Sequence, residues 1–182
     1  MSLFTSKRER NLWLWALIVL LLIYSTLWLT GLLAEILAEN TLLTISFAIG
    51  LLLIAITVVG CGLVRKGKWR EVWLIVGMVA VYGMILVRLG LQERSHLIEY
   101  SVLALLIYSA LWERKQNGAK VSMPSLIAVL VTALLGVLDE MIQILLPNRV
   151  YDPQDILFNT LAAILAVGTF QFLRWARDRF GS

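Results

Sequence analysis

Apolar residues in this chain come in long unbroken runs, with polar residues confined to short links between them. Six stretches are uncharged or nearly so: Leu12–Ala34, Thr41–Val64, Val72–Val87, Leu97–Trp112, Val121–Leu146 and Ile156–Trp175. An apolar helix needs about 20 residues to cross a hydrocarbon core, so each run predicts one membrane span. Val72–Val87 and Leu97–Trp112 are short for that task and lean on interfacial anchors such as Trp69, Arg88 and Trp112. The fifth run is interrupted near its end by Asp139 and Glu140. Links of a handful of residues suit antiparallel neighbours in a tight bundle. The pattern predicts an all-α, polytopic transmembrane bundle of about six helices.

Composition agrees. Hydrophobic residues make up 60% of the 182 positions and charged residues 15%, with a mean hydropathy of +0.84. A soluble domain of this length has too little interior for so much apolar surface. Scattered prolines and glycines leave no linker, and no repeat is found, so residues 1–182 read as a single transmembrane domain. Cys61 is the lone cysteine, which excludes an intramolecular disulfide and reads as a small apolar filler. The basic start followed by Leu12–Ala34 reads as a retained signal anchor, because the run is too long for a cleaved leader.

Charge then orients the bundle. With spans alternating across the membrane, thirteen Lys and Arg fall on the side of the N-terminus, and only Arg88, Arg94 and Arg149 on the other. The positive-inside rule places both termini in the cytoplasm. Eight of the twelve acidic residues lie on or near the outer side: Glu35, Glu39, Glu93, Glu99, Asp139, Glu140, Asp152 and Asp155. The basic balance is thus a topological signal and predicts no nucleic-acid partner.

Three polar clusters fall on that outer side. His96, Glu99 and Tyr100 enter the fourth span at i, i+3 and i+4, so they share a helical face. In the fifth span, Gln143 shares a face with both Asp139 and Glu140. Arg149, Asp152, Asp155 and Asn159 follow in the last link and the start of the sixth span. Bland roles exist for several. Asp152 before Pro153 reads as a helix N-cap, and Asp155 sits where a positive helix end favours a carboxylate. Arg149 alone reads as a solvated or interfacial charge, and His96 alone as a hydrogen-bonded interfacial histidine. Glu99, Asp139, Glu140, Gln143 and Asn159 are harder to dismiss. An unpaired charge inside an apolar span costs about 2.5–3.5 kcal/mol, so several on three helices imply that they face one another or a wet cavity. Polar residues that fix helix packing are the competing reading.

These blocks resemble the VanZ-like family of small bacterial membrane proteins over about residues 88–168. The likeness rests on HLIEY, on DEMIQ and on PNRVYDPQDILFNTL. It implies roles for His96, Tyr100, Glu140, Gln143, Arg149, Asp155 and Asn159. Glu93-Arg94 stands where the family often has Asp-Lys, Asn148 where it has Gly, and Ala162 where a glycine commonly follows the Asn. No motif in residues 1–87 matches. The resemblance implies a bacterial inner-membrane protein, in a family named for low-level teicoplanin resistance.

Three functions compete on this sequence. An envelope-maintenance or glycopeptide-resistance protein would bind a lipid-linked or glycopeptide ligand through Tyr100, Gln143, Arg149, Asp152, Asp155 and Asn159. An enzyme acting on an envelope lipid would use His96 as acid or base, with Glu99, Asp139 or Glu140 as orienting carboxylates. An accessory subunit would pack against a larger membrane complex, although the seven Trp read more simply as an aromatic belt. No serine-nucleophile motif, P-loop, HExxH or dinucleotide turn is present, and no cofactor is predicted. His96 with the carboxylates is nevertheless a donor set suited to a divalent cation.

Overall fold

The computed structural model describes residues 3–36, 45, 49–50, 91–146 and 151–180, and every regular element among them is helical. Among the described residues there are four long helices: α1 Lys7–Ile36, α2 Leu91–Gln116, α3 Pro124–Ile144 and α4 Pro153–Phe180. They correspond to the expected spans Leu12–Ala34, Leu97–Trp112, Val121–Leu146 and Ile156–Trp175. All but α3 run past their apolar stretch at both ends, because helix propensity continues through the flanking Glu, Arg, Lys and Gln. Of the expected span Thr41–Val64 only Ile45, Ile49 and Gly50 are described, all helical. Val72–Val87 and Cys61 lie outside the described residues. Two helical segments are long and apolar enough to cross a membrane, Pro124–Ile144 and Pro153–Ala176.

Local sequence explains the ends. Pro124 and Pro153 open α3 and α4 at the position where a missing N–H costs nothing. Asp152 caps α4, as its spacing predicts: its Oδ1 accepts the Gln154 N–H at 2.8 Å. α2 stops at Gly118, whose φ of 88° only glycine adopts without strain. There the Gly118 N–H reaches the Lys115 carbonyl and the Ala119 N–H reaches that of Arg114, which satisfies two of the helix's last acceptors.

α2 is the central helix and packs against the other three described helices. From Tyr100 through Ala110 every residue is buried, the condition of a helix apolar on all sides. Its neighbours are arranged inside out. On α3 the buried stripe is small or polar, namely Pro124, Ala128, Thr132, Gly136, Asp139, Glu140 and Gln143. The exposed stripe is Leu126, Leu130, Leu134, Leu138 and Met141. α4 likewise buries Ala162, Ala163 and Ala166 and exposes Leu157, Leu161, Ile164 and Leu165. In water such faces would drive aggregation. In lipid, where apolar surface has no reason to hide and small residues permit close helix approach, the arrangement is favourable.

Candidate functional site

The polar residues near one end of the bundle converge. α2 enters with His96 and Tyr100, α3 ends with Asp139, Glu140 and Gln143, and α4 begins with Asp155 and Asn159. All seven are buried, and Tyr100, Asp139, Glu140, Gln143 and Asn159 have no exposed surface. His96 lies between two carboxylates, with Nδ1 at 3.9 Å from Asp139 Oδ2 and Nε2 at 3.5 Å from Asp155 Oδ2. Gln143 Nε2 donates to Glu140 Oε1 at 3.0 Å and reaches Asp139 Oδ2 at 3.5 Å. One amide group therefore holds both carboxylates, as the i, i+3 and i, i+4 spacings predict. The second Glu140 oxygen accepts the Asp152 backbone N–H at 3.2 Å, which ties the entrance of α4 to the end of α3.

Several buried atoms are left over. His96 Nδ1, Gln143 Oε1 and both polar atoms of Asn159 have no hydrogen-bond partner among the described residues. An unmade hydrogen bond at a buried site costs about 1–3 kcal/mol, so four such atoms in one cluster mark a place where something other than packing is being served. Ligand atoms of His96, Asp139 and Glu140 lie within 4.8 Å of one another, close enough for one metal ion.

Not every expected residue joins. Glu99 is half-buried on α2, next to Tyr100. At 100° per residue, Glu99 and Tyr100 lie on opposite flanks of the His96 direction, and Tyr100 takes the inner one. Asp152 contributes its backbone N–H while its carboxylate serves as a cap. Arg149 lies outside the described residues.

Two contributors carried weaker signals. Tyr24 on α1 donates to the Leu135 carbonyl at 3.2 Å, one turn before Asp139. Its only mark in the sequence is a phenol amid an uncharged run. Gly136 lies under Asn159, and a Cβ there would meet Asn159 Cβ at 2.9 Å and Nδ2 at 3.0 Å. A glycine in mid-helix was its available sign.

The opposite end holds a second network. Glu9, fully buried, accepts the Thr5 N–H and hydroxyl, each at 2.6 Å, and Arg114 Nη1 at 3.1 Å. Its own N–H reaches Ser6 Oγ, and the Ser6 hydroxyl donates to Glu113. Ser6-Lys7-Arg8-Glu9 has the form of a capping box, the signal that could have found it. Burial raises the Glu9 carboxyl, but the Thr5 bonds and the Arg114 charge outweigh it and hold it below the usual 4.5.

The family model of VanZ/LLP1 matches residues 3–174. The chain belongs to the VanZ/LLP1 family. The match takes in the first half of the chain as well as the 88–168 region, so the VanZ/LLP1 sequence pattern is spread over nearly the whole length. No curated protein and no solved structure matches the chain.

Proposed function

We propose that this VanZ/LLP1 chain is a multi-pass protein of the bacterial inner membrane whose buried acid–histidine site faces outward and binds a component of the cell envelope, protecting the cell against teicoplanin-type glycopeptides. About six spans with both termini in the cytoplasm complete the reading. The observation that carries it is the convergence of His96, Asp139, Glu140 and Asp155 from three helices at one end of an apolar-surfaced bundle. Desolvating three carboxylates and an imidazole is costly, and structural polar glue would leave fewer hydrogen-bonding atoms idle. Arg149, six residues after Gln143, supplies the anion contact in this reading. The enzyme reading draws on one observation, an imidazole set between two carboxylates, which is an arrangement for moving a proton.

The test is teicoplanin susceptibility of a sensitive bacterium expressing wild type, His96→Ala, Glu140→Gln and Arg149→Ala, with membrane abundance recorded in parallel. Protection by wild type alone, at equal abundance, is the expected result. No protection by a well-inserted wild type would remove the resistance role. In a Cys61→Ser background, Glu93→Cys should label from outside and Lys68→Cys only after permeabilisation; the reverse would invert the topology.

A further inference from the structure

Resting on the proposal that the acid–histidine cluster is a working site, we infer that its occupant is a single divalent transition-metal ion, ligated by His96 Nδ1, Asp139 and Glu140, with Asp155 holding the far side of the imidazole. Four observations lead there. His96 Nδ1 is buried, without a hydrogen-bond partner among the described residues, and faces Asp139 Oδ2 at 3.9 Å. That separation is too long for a hydrogen bond. It is close to the ~3–3.5 Å between neighbouring ligand atoms of an ion bound at about 2.0–2.2 Å. Glu140 adds a carboxylate oxygen within the same 4.8 Å.

The surroundings complete a metal site rather than a mere acidic patch. Nε2 of His96 lies 3.5 Å from Asp155 Oδ2, so an Nε2–H directed at Asp155 leaves the Nδ1 lone pair free to bind. This carboxylate–imidazole–metal relay fixes tautomer and ring orientation in known metal sites. Gln143 Nε2 steadies the two ligating carboxylates from behind. A dication would offset the charge of the two ligating carboxylates, neither of which has exposed surface, and leave one negative charge, on Asp155. Asp155 sits in the first turn of α4, where the helix end favours its charge. One imidazole with two carboxylates selects ions such as Zn²⁺, Mn²⁺ or Fe²⁺ over Ca²⁺ and Mg²⁺, which prefer oxygen alone.

The experiment uses the full chain in detergent, stripped with EDTA, re-equilibrated separately with Zn²⁺ and Mn²⁺, desalted and measured by elemental analysis. Wild type should hold about one equivalent of one of these ions, and so should Ser109→Ala, altered at a buried hydroxyl about 20 Å along α2 from His96. His96→Ala and Glu140→Gln, checked for helicity and monodispersity, should hold none. Asp155→Asn should bind about 10–100-fold more weakly, the loss typical of an outer partner. Binding of neither ion by wild type, or equal binding by the folded variants, overturns the inference. Should the variants misfold, X-ray absorption of the loaded wild type decides: one imidazole with oxygen ligands supports the site, and sulfur or no imidazole overturns it. Teicoplanin protection by a chain that binds no ion would sink the metal and leave the functional reading standing. Metal bound without protection would do the opposite.

Discussion

The two ends of α2 place buried charge in opposite situations. At its C-terminal end, Glu9 receives three hydrogen bonds, one of them from Arg114. Nearby, the Arg174 guanidinium carbon lies 3.9 Å from the centre of the Trp112 ring. At the N-terminal end, about 24 Å away along the helix, His96, Gln143 and Asn159 bury polar atoms that no hydrogen bond among the described residues satisfies. Both ends are built of acids, bases and amides, and α2 and α4 contribute to each. The first is matched to itself, and the second keeps unmatched atoms among the described residues. Local mismatch where the rest of the molecule is consistent is the signature of a functional site.

The contrast yields a dissociation that substitutions can break. The largest effect is expected from Glu140→Gln, which should abolish protection while costing about 1–2 kcal/mol of stability, because the amide keeps only one of the two acceptors and the loss of a buried charge offsets part of that. Equal loss of folded protein would return this end to a structural role. Glu9→Ala should do the reverse, costing about 3 kcal/mol in detergent unfolding through its lost charge-assisted bonds with the acid–histidine site intact. The same carboxyl makes a pH prediction. Its folded-state pKa lies below 4.5, so its stabilisation is fully present above that value and fades as pH falls through the lowered one. The stability gap between wild type and Glu9→Gln should be constant above about pH 5.5 and shrink toward pH 3; a gap that grows on acidification would reverse the sign.

Smaller effects sharpen the picture. Gly136→Ala should destabilise by about 2 kcal/mol, since the added methyl overpacks against Asn159. Pairing it with Asn159→Gly, which removes the Cβ that the new methyl meets, should recover most of that loss, and an additive double variant would mean that the two sites do not meet. Least of all, Arg174→Ala should cost about 0.5–1 kcal/mol, the worth of one cation–π contact. A melting-curve comparison with Trp112→Leu, which should remove the dependence on Arg174, checks it.

How far these features could be read from the sequence varies with the range of the interaction. Long apolar runs located α1 to α4 because hydropathy along a chain is a one-dimensional signal. The Gln143 bonds to Asp139 and Glu140 were legible for a similar reason, being fixed by the pitch of one helix. Asp152 as a cap was legible from the proline after it. Which flank of α2 turns toward Asp139 was not, because it depends on how the helices pack together. Tyr24 and Gly136 matter only through residues on other helices, Leu135 and Asn159. No local pattern announces such a pairing. Glu9 was legible in principle from its capping box, but the basic residues around it read as topology alone.

The enclosure of α2 bears on how the chain is made. A helix buried on all sides from Tyr100 to Ala110 leaves the ribosome before α3 and α4, two of the three neighbours that enclose it. Until they emerge, its tyrosines and serines must wait beside lipid or the insertion machinery. Biogenesis therefore hinges on the last hairpin, and a truncation after Gln116 should be cleared by membrane proteases although its own sequence is intact.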